Sequence, residues 1–301
     1  MWLNHIFRGA VLLCLASSSL AQTPLPDNWD KIKESQRITV GYRPDGLPFA
    51  YEMGEAKKPV GYAIDICQAL IAKLQQNMGL AKLDIQYRAI NGQTRFTDLA
   101  SGAIDVDCSN TTNTKDRRES KHVSFSLPYY IAGVRMLVKS DSGINDVDDL
   151  SGKRVITTKG TTSLQVLERR VAVNGLKIQH SECLTHNDCF KAVQGGTADV
   201  WLMDDILLAA HRAQAEKPEQ VKLIGKLMSI EPLSLMMRDS DVRMKKVFDA
   251  EMRNLSQNFE ITRLYKKWFE SPLPGKGFAL NVPMSYLLTD MLRFPSDKFD
   301  N

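Results

Sequence analysis

Apolar residues recur at two different periods along this chain, and the periods alternate. RITVGYR (37–43), LDIQYRAI (83–90) and AIDVDCS (103–109) show the short strand-like pattern. Between them, GYAIDICQALIAKLQQ (61–76) and TRFTDLASG (94–102) space their apolar residues three and four apart, which predicts helices. The pattern restarts after LVKSDSGINDVDDLSGK. RVITTKG, KIQH and ADVWLM read as strands, and TSLQVLERRVAVN, NDCFKAVQGG and DDILLAAHRAQ read as helices. Such alternation predicts an α/β fold with two units built around largely parallel sheets. Beyond it come a strand, LSLMMR (233–238), and two helices, VRMKKVFDAEMRNLSQN (242–258) and ITRLYKKWF (261–269), stopped near Pro272 and Pro274. These are expected to pack back on the first unit, so the chain would cross between units twice, near residues 133 and 230.

The two halves share a phrase. Phe96, Leu99, Gly102, Asp105 and Val106 have the spacing of Phe190, Val193, Gly196, Asp199 and Val200. Helix, glycine stop and strand form a common α/β phrase, so convergence alone would explain the match. It nevertheless puts Asn110 and Asp204 at equivalent strand ends. In open α/β sheets ligands bind outside the carboxyl ends of strands, and two such ends facing each other make a cleft.

Composition narrows the class. With 301 residues, 43% apolar, the chain has room for two ordinary domains. MWLNHIFRGAVLLCLASSSLAQ combines a weakly basic start, a short apolar core and small residues before a cut after Ala21, which predicts a signal peptide over 1–21 and an exported protein. Its removal takes away Arg8 and no acid, leaving 38 basic against 35 acidic residues, too mild an excess to imply nucleic acid. No stretch approaches the roughly 18 to 20 apolar residues a membrane span needs.

Of the later cysteines, Cys67 sits in a helical pattern and Cys108 ends a strand, so both read as small buried core residues. Cys183 and Cys189 close a short loop, where a disulfide would stabilise by about 2 kcal/mol in an oxidising compartment. The competing reading is a zinc site, because His180, Cys183, His186 and Cys189 recur every third residue.

The candidate chemistry gathers at the strand ends. SNTTNTKDRR (109–118) has no apolar side chain and brings Thr111, Thr112 and the two-pronged donor Arg117 to one strand end. TTKGTTS (157–163) repeats the theme, with Gly160 for a tight turn and Thr162 at a helix start, where an anion is favoured. Singly, these segments also read as capping loops, and Arg43, Arg95 and Asp204 as surface or capping charges. No G-x-S-x-G, H-E-x-x-H or paired nucleophile and base is present.

Together, LPFAYE with VGYAIDIC, QTRFTDLASGAIDVDCSNTTNTKDRR, DLSGKRVITTKGTTS, HNDCFKAVQGGTADVWLMDDILLAAHRAQAEKP and YKKWFESPLP resemble the solute-binding proteins of ABC amino-acid importers, in their glutamate/aspartate-binding branch. The resemblance covers nearly all of the chain after the signal segment. It implies a two-lobed periplasmic binding protein of type II, with lobe 1 over 24–133 plus 230–301, lobe 2 over 134–229, and a double-crossover hinge. It implies a monomer without catalysis or cofactor, which captures L-glutamate or L-aspartate for an inner-membrane ABC permease. Carried over by position, Arg117 would clamp the α-carboxylate with Thr112 and Thr162. Asp204 would take the ammonium beside the main-chain carbonyl of Asn110, and Arg43, Arg95 and His186 would surround the side-chain acid. His186 taken alone also reads as a packed or capping histidine.

Three positions depart from that pattern. Gly92 and Asn110 stand where the resemblance implies serines, and Leu235 lies near the place of a cysteine partner for Cys108. The four charges Arg43, Arg95, Arg117 and Asp204 sum to +2, which favours an anion. Another polar amino acid as ligand, an enzyme of dehydratase or hydrolase type on the same scaffold, and a soluble sensor are the alternatives.

Overall fold

The structure is a computed structural model that describes residues 26–299. The expected signal segment, 1–21, lies outside the described residues. The chain opens with α1 (Trp29–Ser35), β1 (Arg37–Tyr42), β2 (Asp45–Gly46), β3 (Ala50–Met53), β4 (Lys58–Val60) and α2 (Tyr62–Met78). It continues through β5 (Asp84–Ala89), α3 (Thr94–Ala100), β6 (Val106–Thr112), α4 (Lys115–Ser120), β7 (Val123–Phe125) and β8 (Tyr130–Ala132). A second series follows: β9 (Val134–Lys139), β10 (Arg154–Thr158), α5 (Ser163–Asn174), β11 (Gln179–Cys183), α6 (His186–Gln194), β12 (Val200–Asp204), α7 (Asp205–Gln214) and β13 (Val221–Ile224). The last elements are β14 (Glu231–Arg238), α8 (Val242–Gln257), α9 (Glu260–Tyr265) and α10 (Tyr286–Arg293).

Two main sheets result. The first runs β5-β1-β6-β14-β7, with β8 also paired to β14; the second runs β11-β10-β12-β9-β13. In each, a parallel trio is joined by one antiparallel strand that arrives from the other half of the chain. β14 lies against β6, and β9 lies against β12. The shared phrase in the sequence therefore corresponds to equivalent places, since β6 and β12 each sit between a parallel neighbour and a crossing strand. Asn110 and Asp204 are each the fifth residue of their strand.

Helix α2 shows how the first sheet is covered. Its stripe Tyr62, Ile66, Leu70 and Leu74 is buried, and Gly79 ends it in the left-handed conformation with its N–H on the Gln75 and Gln76 carbonyls. Gly61 begins it at φ +147, where a Cβ would lie 2.1 Å from the Phe49 carbonyl oxygen, so only glycine fits the close approach. Helices α8 and α9 pack on α2, and Phe49, Tyr62, Tyr130, Tyr265 and Phe269 form a buried aromatic cluster.

The structure corrects the reading of the first two cysteines. Cys67 and Cys108 are joined in a disulfide, with Cα atoms 6.0 Å apart. Helix α2 presents Cys67 to the face of β6 that carries Cys108, so the partner comes from a helix and not from β14, where Leu235 is buried in the core. Cys183 and Cys189 are also joined, with Cα atoms 5.5 Å apart, which removes both sulfurs from a zinc ligand set. The strand read as KIQH is Gln179–Cys183, and the short β2-β3-β4 sheet and α10 were not anticipated.

Candidate functional site

Strand β6 is buried along its whole length although five of its seven residues are polar. Burial of that kind demands internal partners. Asp107 supplies them, accepting from the hydroxyls of Ser109 and of Thr111, the latter at 2.6 Å. Thr111 Oγ1 in turn accepts from Arg95 Nη1 at 2.8 Å. Arg95 is the second residue of α3, and its Nη2 donates to the Gly160 carbonyl at 2.7 Å. Arg117, in α4, donates from Nη1 to the Thr112 carbonyl at 2.8 Å and from Nη2 to the same Gly160 carbonyl at 3.4 Å. Arg43, just past β1, grips the Asp45 carboxylate with Nε and Nη2. All three guanidiniums are buried.

The second sheet supplies the other wall. Asp204 ends β12 and is buried. Burial, with the charges of Glu231 and Asp205, pushes its carboxyl well above the ordinary value, against the pull of Arg117 and Arg43. His186 is the first residue of α6, which Thr185 caps in a reciprocal box with Asp188. Its Nδ1 meets Thr158 Oγ1 at 2.9 Å, and burial together with the Arg43 charge pushes the ring well below its usual value, so it is neutral. The loop between β10 and α5 brings Gly160, at φ +74, and Thr162, whose hydroxyl donates to Glu231 Oε2 at 2.9 Å.

Bonds across the cleft therefore join residues of one sheet unit to the other, among them Arg95 and Arg117 to Gly160, Thr162 to Glu231, and the His186 N–H to Asp45 Oδ2 at 2.7 Å. The backbones meet closely at Gly92, where a Cβ would lie 2.2 Å from the Lys159 carbonyl oxygen. Of the buried side-chain atoms that have no hydrogen-bond partner among the described residues, five belong to residues singled out from the sequence for this cleft. Arg43 Nη1, Arg95 Nε and His186 Nε2 can donate; Asn110 Oδ1 and Asp204 Oδ1 can accept.

Arg43, Arg95, Arg117, His186 and Asp204 thus converge, each acting electrostatically on at least one of the others. Asn110 joins them through an unpartnered side-chain oxygen, where sequence reasoning assigned only its main-chain carbonyl. Thr112 faces Arg117 through its backbone, and the Thr162 hydroxyl is turned to Glu231. The expected charge is corrected. Asp45, Asp107 and Glu231 also belong to the cleft, so three cations face four carboxyl groups, a formal −1 with all ionised in place of +2. Neither Asp45 nor Glu231 was singled out from the sequence. Asp107 alone left a signal, a second aspartate in AIDVDC, where an apolar residue would be ordinary.

The sequence profile of the bacterial extracellular solute-binding proteins, family 3, matches residues 38–271. The chain belongs to this family. It is 34% identical over 289 residues to the L-glutamate/L-aspartate-binding protein of Pseudomonas aeruginosa, covering 96% of this chain and 95% of that one. It is 31% identical over 294 residues to the glutamate/aspartate import solute-binding protein of Escherichia coli K12, covering 96% of both. In fold it is similar to an ABC uptake transporter substrate binding protein from Streptococcus pneumoniae with bound histidine, at a TM-score of 0.71 and 20% identity, over 82% of this chain and 98% of that one.

In this family 3 protein the cleft holds buried donors and acceptors that are free to hydrogen-bond a small solute. The named relatives are transport binding proteins. Among the described residues no group of three or more histidines, cysteines or carboxylates is disposed to hold a metal ion.

Proposed function

We propose that this protein captures L-glutamate or L-aspartate in the periplasm and delivers it, as a monomer, to an inner-membrane ABC permease. One observation carries the reading. The unpartnered buried atoms of the sequence-predicted site residues sort into donors, from Arg43, Arg95 and His186, and acceptors, from Asp204 and Asn110. A side-chain carboxylate satisfies the first set and an α-ammonium the second. Arg117 keeps further N–H groups beyond its two carbonyl bonds for the α-carboxylate. The names of the relatives at 34% and 31% identity support the same solutes. We take 24–133 plus 230–301 and 134–229 as the two lobes, hinged where the chain passes from β8 to β9 and from β13 to β14. The first 21 residues serve as the export signal.

A second reading, a neutral amide such as glutamine, is favoured by the extra carboxylates of the cleft. Calorimetry on ligand-stripped protein with glutamate, aspartate, glutamine and arginine separates the two. Heat is expected with an acidic amino acid; silence toward both acids sinks the proposal.

A further inference from the structure

Asp45 lies two residues past Arg43, in the turn RPDG. Its side chain is 12% exposed, against 1% for Arg43, and it takes the Nε and Nη2 edge of that guanidinium at 3.3 to 3.5 Å. Its other contact crosses the cleft, where Oδ2 accepts the His186 N–H at 2.7 Å. Arg43 is left with Nη1, buried and without a partner. Burial opposes ionisation of Asp45, but the Arg43 charge and the His186 backbone N–H outweigh it and hold the carboxyl well below the usual range. The two rings that face it, His186 and His211, are neutral, the latter pushed down to about 4 chiefly by burial.

We propose that Asp45 is a specificity-determining residue, a resident carboxylate that shares Arg43 with the solute and blunts the site's preference for an acidic side chain over its amide. The inference rests on the function proposed above and deepens it. With Asp45 in place, Arg43 bridges two carboxylates when an acid is bound, and the solute's carboxylate meets a cation already half satisfied, with a like charge nearby. An amide oxygen accepts from Nη1 without that repulsion. Without the Asp45 charge, the whole guanidinium would favour the acid.

Two variants separate this electrostatic effect from the cross-cleft bond. Asp45→Asn keeps an oxygen for the His186 N–H and removes only the charge; Asp45→Ala removes both. Glutamate and glutamine are titrated calorimetrically into ligand-stripped wild type and each variant, with thermal melts to establish folding. Asp45→Asn is expected to raise the ratio of glutamine Kd to glutamate Kd by about tenfold, through tighter glutamate binding. Asp45→Ala raises the ratio too, while both solutes bind more weakly than to Asp45→Asn. A ratio in both variants within twofold of wild type, or shifted toward glutamine, overturns the inference and leaves the proposed function standing. So does a wild type that binds glutamate but ignores millimolar glutamine. Silence of the wild type toward both acids overturns the function and this inference together.

Discussion

Asp204 is held in the closed cleft with one oxygen unpartnered and its carboxyl raised well above the ordinary value, by burial first and then by Glu231 and Asp205. A solute ammonium beside it favours the ionised form. Binding therefore lowers a pKa that is high beforehand, so it releases protons, and affinity falls as pH falls through the raised value. Calorimetry at one pH in two buffers of different protonation enthalpy reads the release directly. Equal heats in both buffers would contradict the assignment, and Asp204→Asn is expected to abolish the difference. At this scale the cations were legible because each flanks a recognisable strand end or helix start. Their carboxylate partners were not. Asp45 pairs with a residue only two away but also with an amide 141 positions on, and Glu231 meets Thr162 across 69 positions. Pairings of that range depend on how the two units close, which no local pattern encodes.

Among elements, β6 is the one on which most of the site depends, and the Cys67–Cys108 disulfide ties it to α2. That link spans 41 residues of sequence, against 6 for Cys183–Cys189. In the loop-entropy account the longer one contributes about 4 kcal/mol and the shorter about 2 kcal/mol. Urea unfolding should therefore show a greater loss for the double variant Cys67→Ala, Cys108→Ala than for Cys183→Ala, Cys189→Ala. The reverse order would show that strain or denatured-state structure outweighs loop length. Helices α2, α5, α6 and α8 and strands β1, β10 and β12 were legible because their apolar periods are long or bounded by glycine, whereas β6 runs on to Thr112 through polar residues that read as lying past the strand end. The β2-β3-β4 sheet was not, since strands of two to four residues are too short to show a period. The disulfide to α2 was hidden for a related reason. A cysteine on a buried helix stripe looks like any small apolar residue until the facing strand is known.

For the molecule as a whole, one tight constraint on closure is the approach of Gly92 to Lys159 and Gly160. A Cβ on Gly92 would sit 2.2 Å from one carbonyl oxygen, and one on Gly160 would sit 2.3 Å from the Gly92 carbonyl oxygen. Glycine at 92, where the resemblance implies a serine, thus meets a steric demand of this closed cleft. Gly92→Ala is expected to fold normally, to weaken glutamate binding by about tenfold or more, and to reduce the compaction that solute produces in small-angle scattering. Unchanged affinity and scattering would show that the lobes need not approach so closely. The two-unit organisation was legible from the restart of the strand and helix pattern, whereas the fit between the units was not, because it rests on backbone distances of this kind. All four cysteines of the described residues are paired, and each pair lies within one sheet unit and its helices. A single thiol engineered at the cleft rim would therefore be the sole attachment point for an environment-sensitive dye on residues 26–299, turning capture into an optical signal.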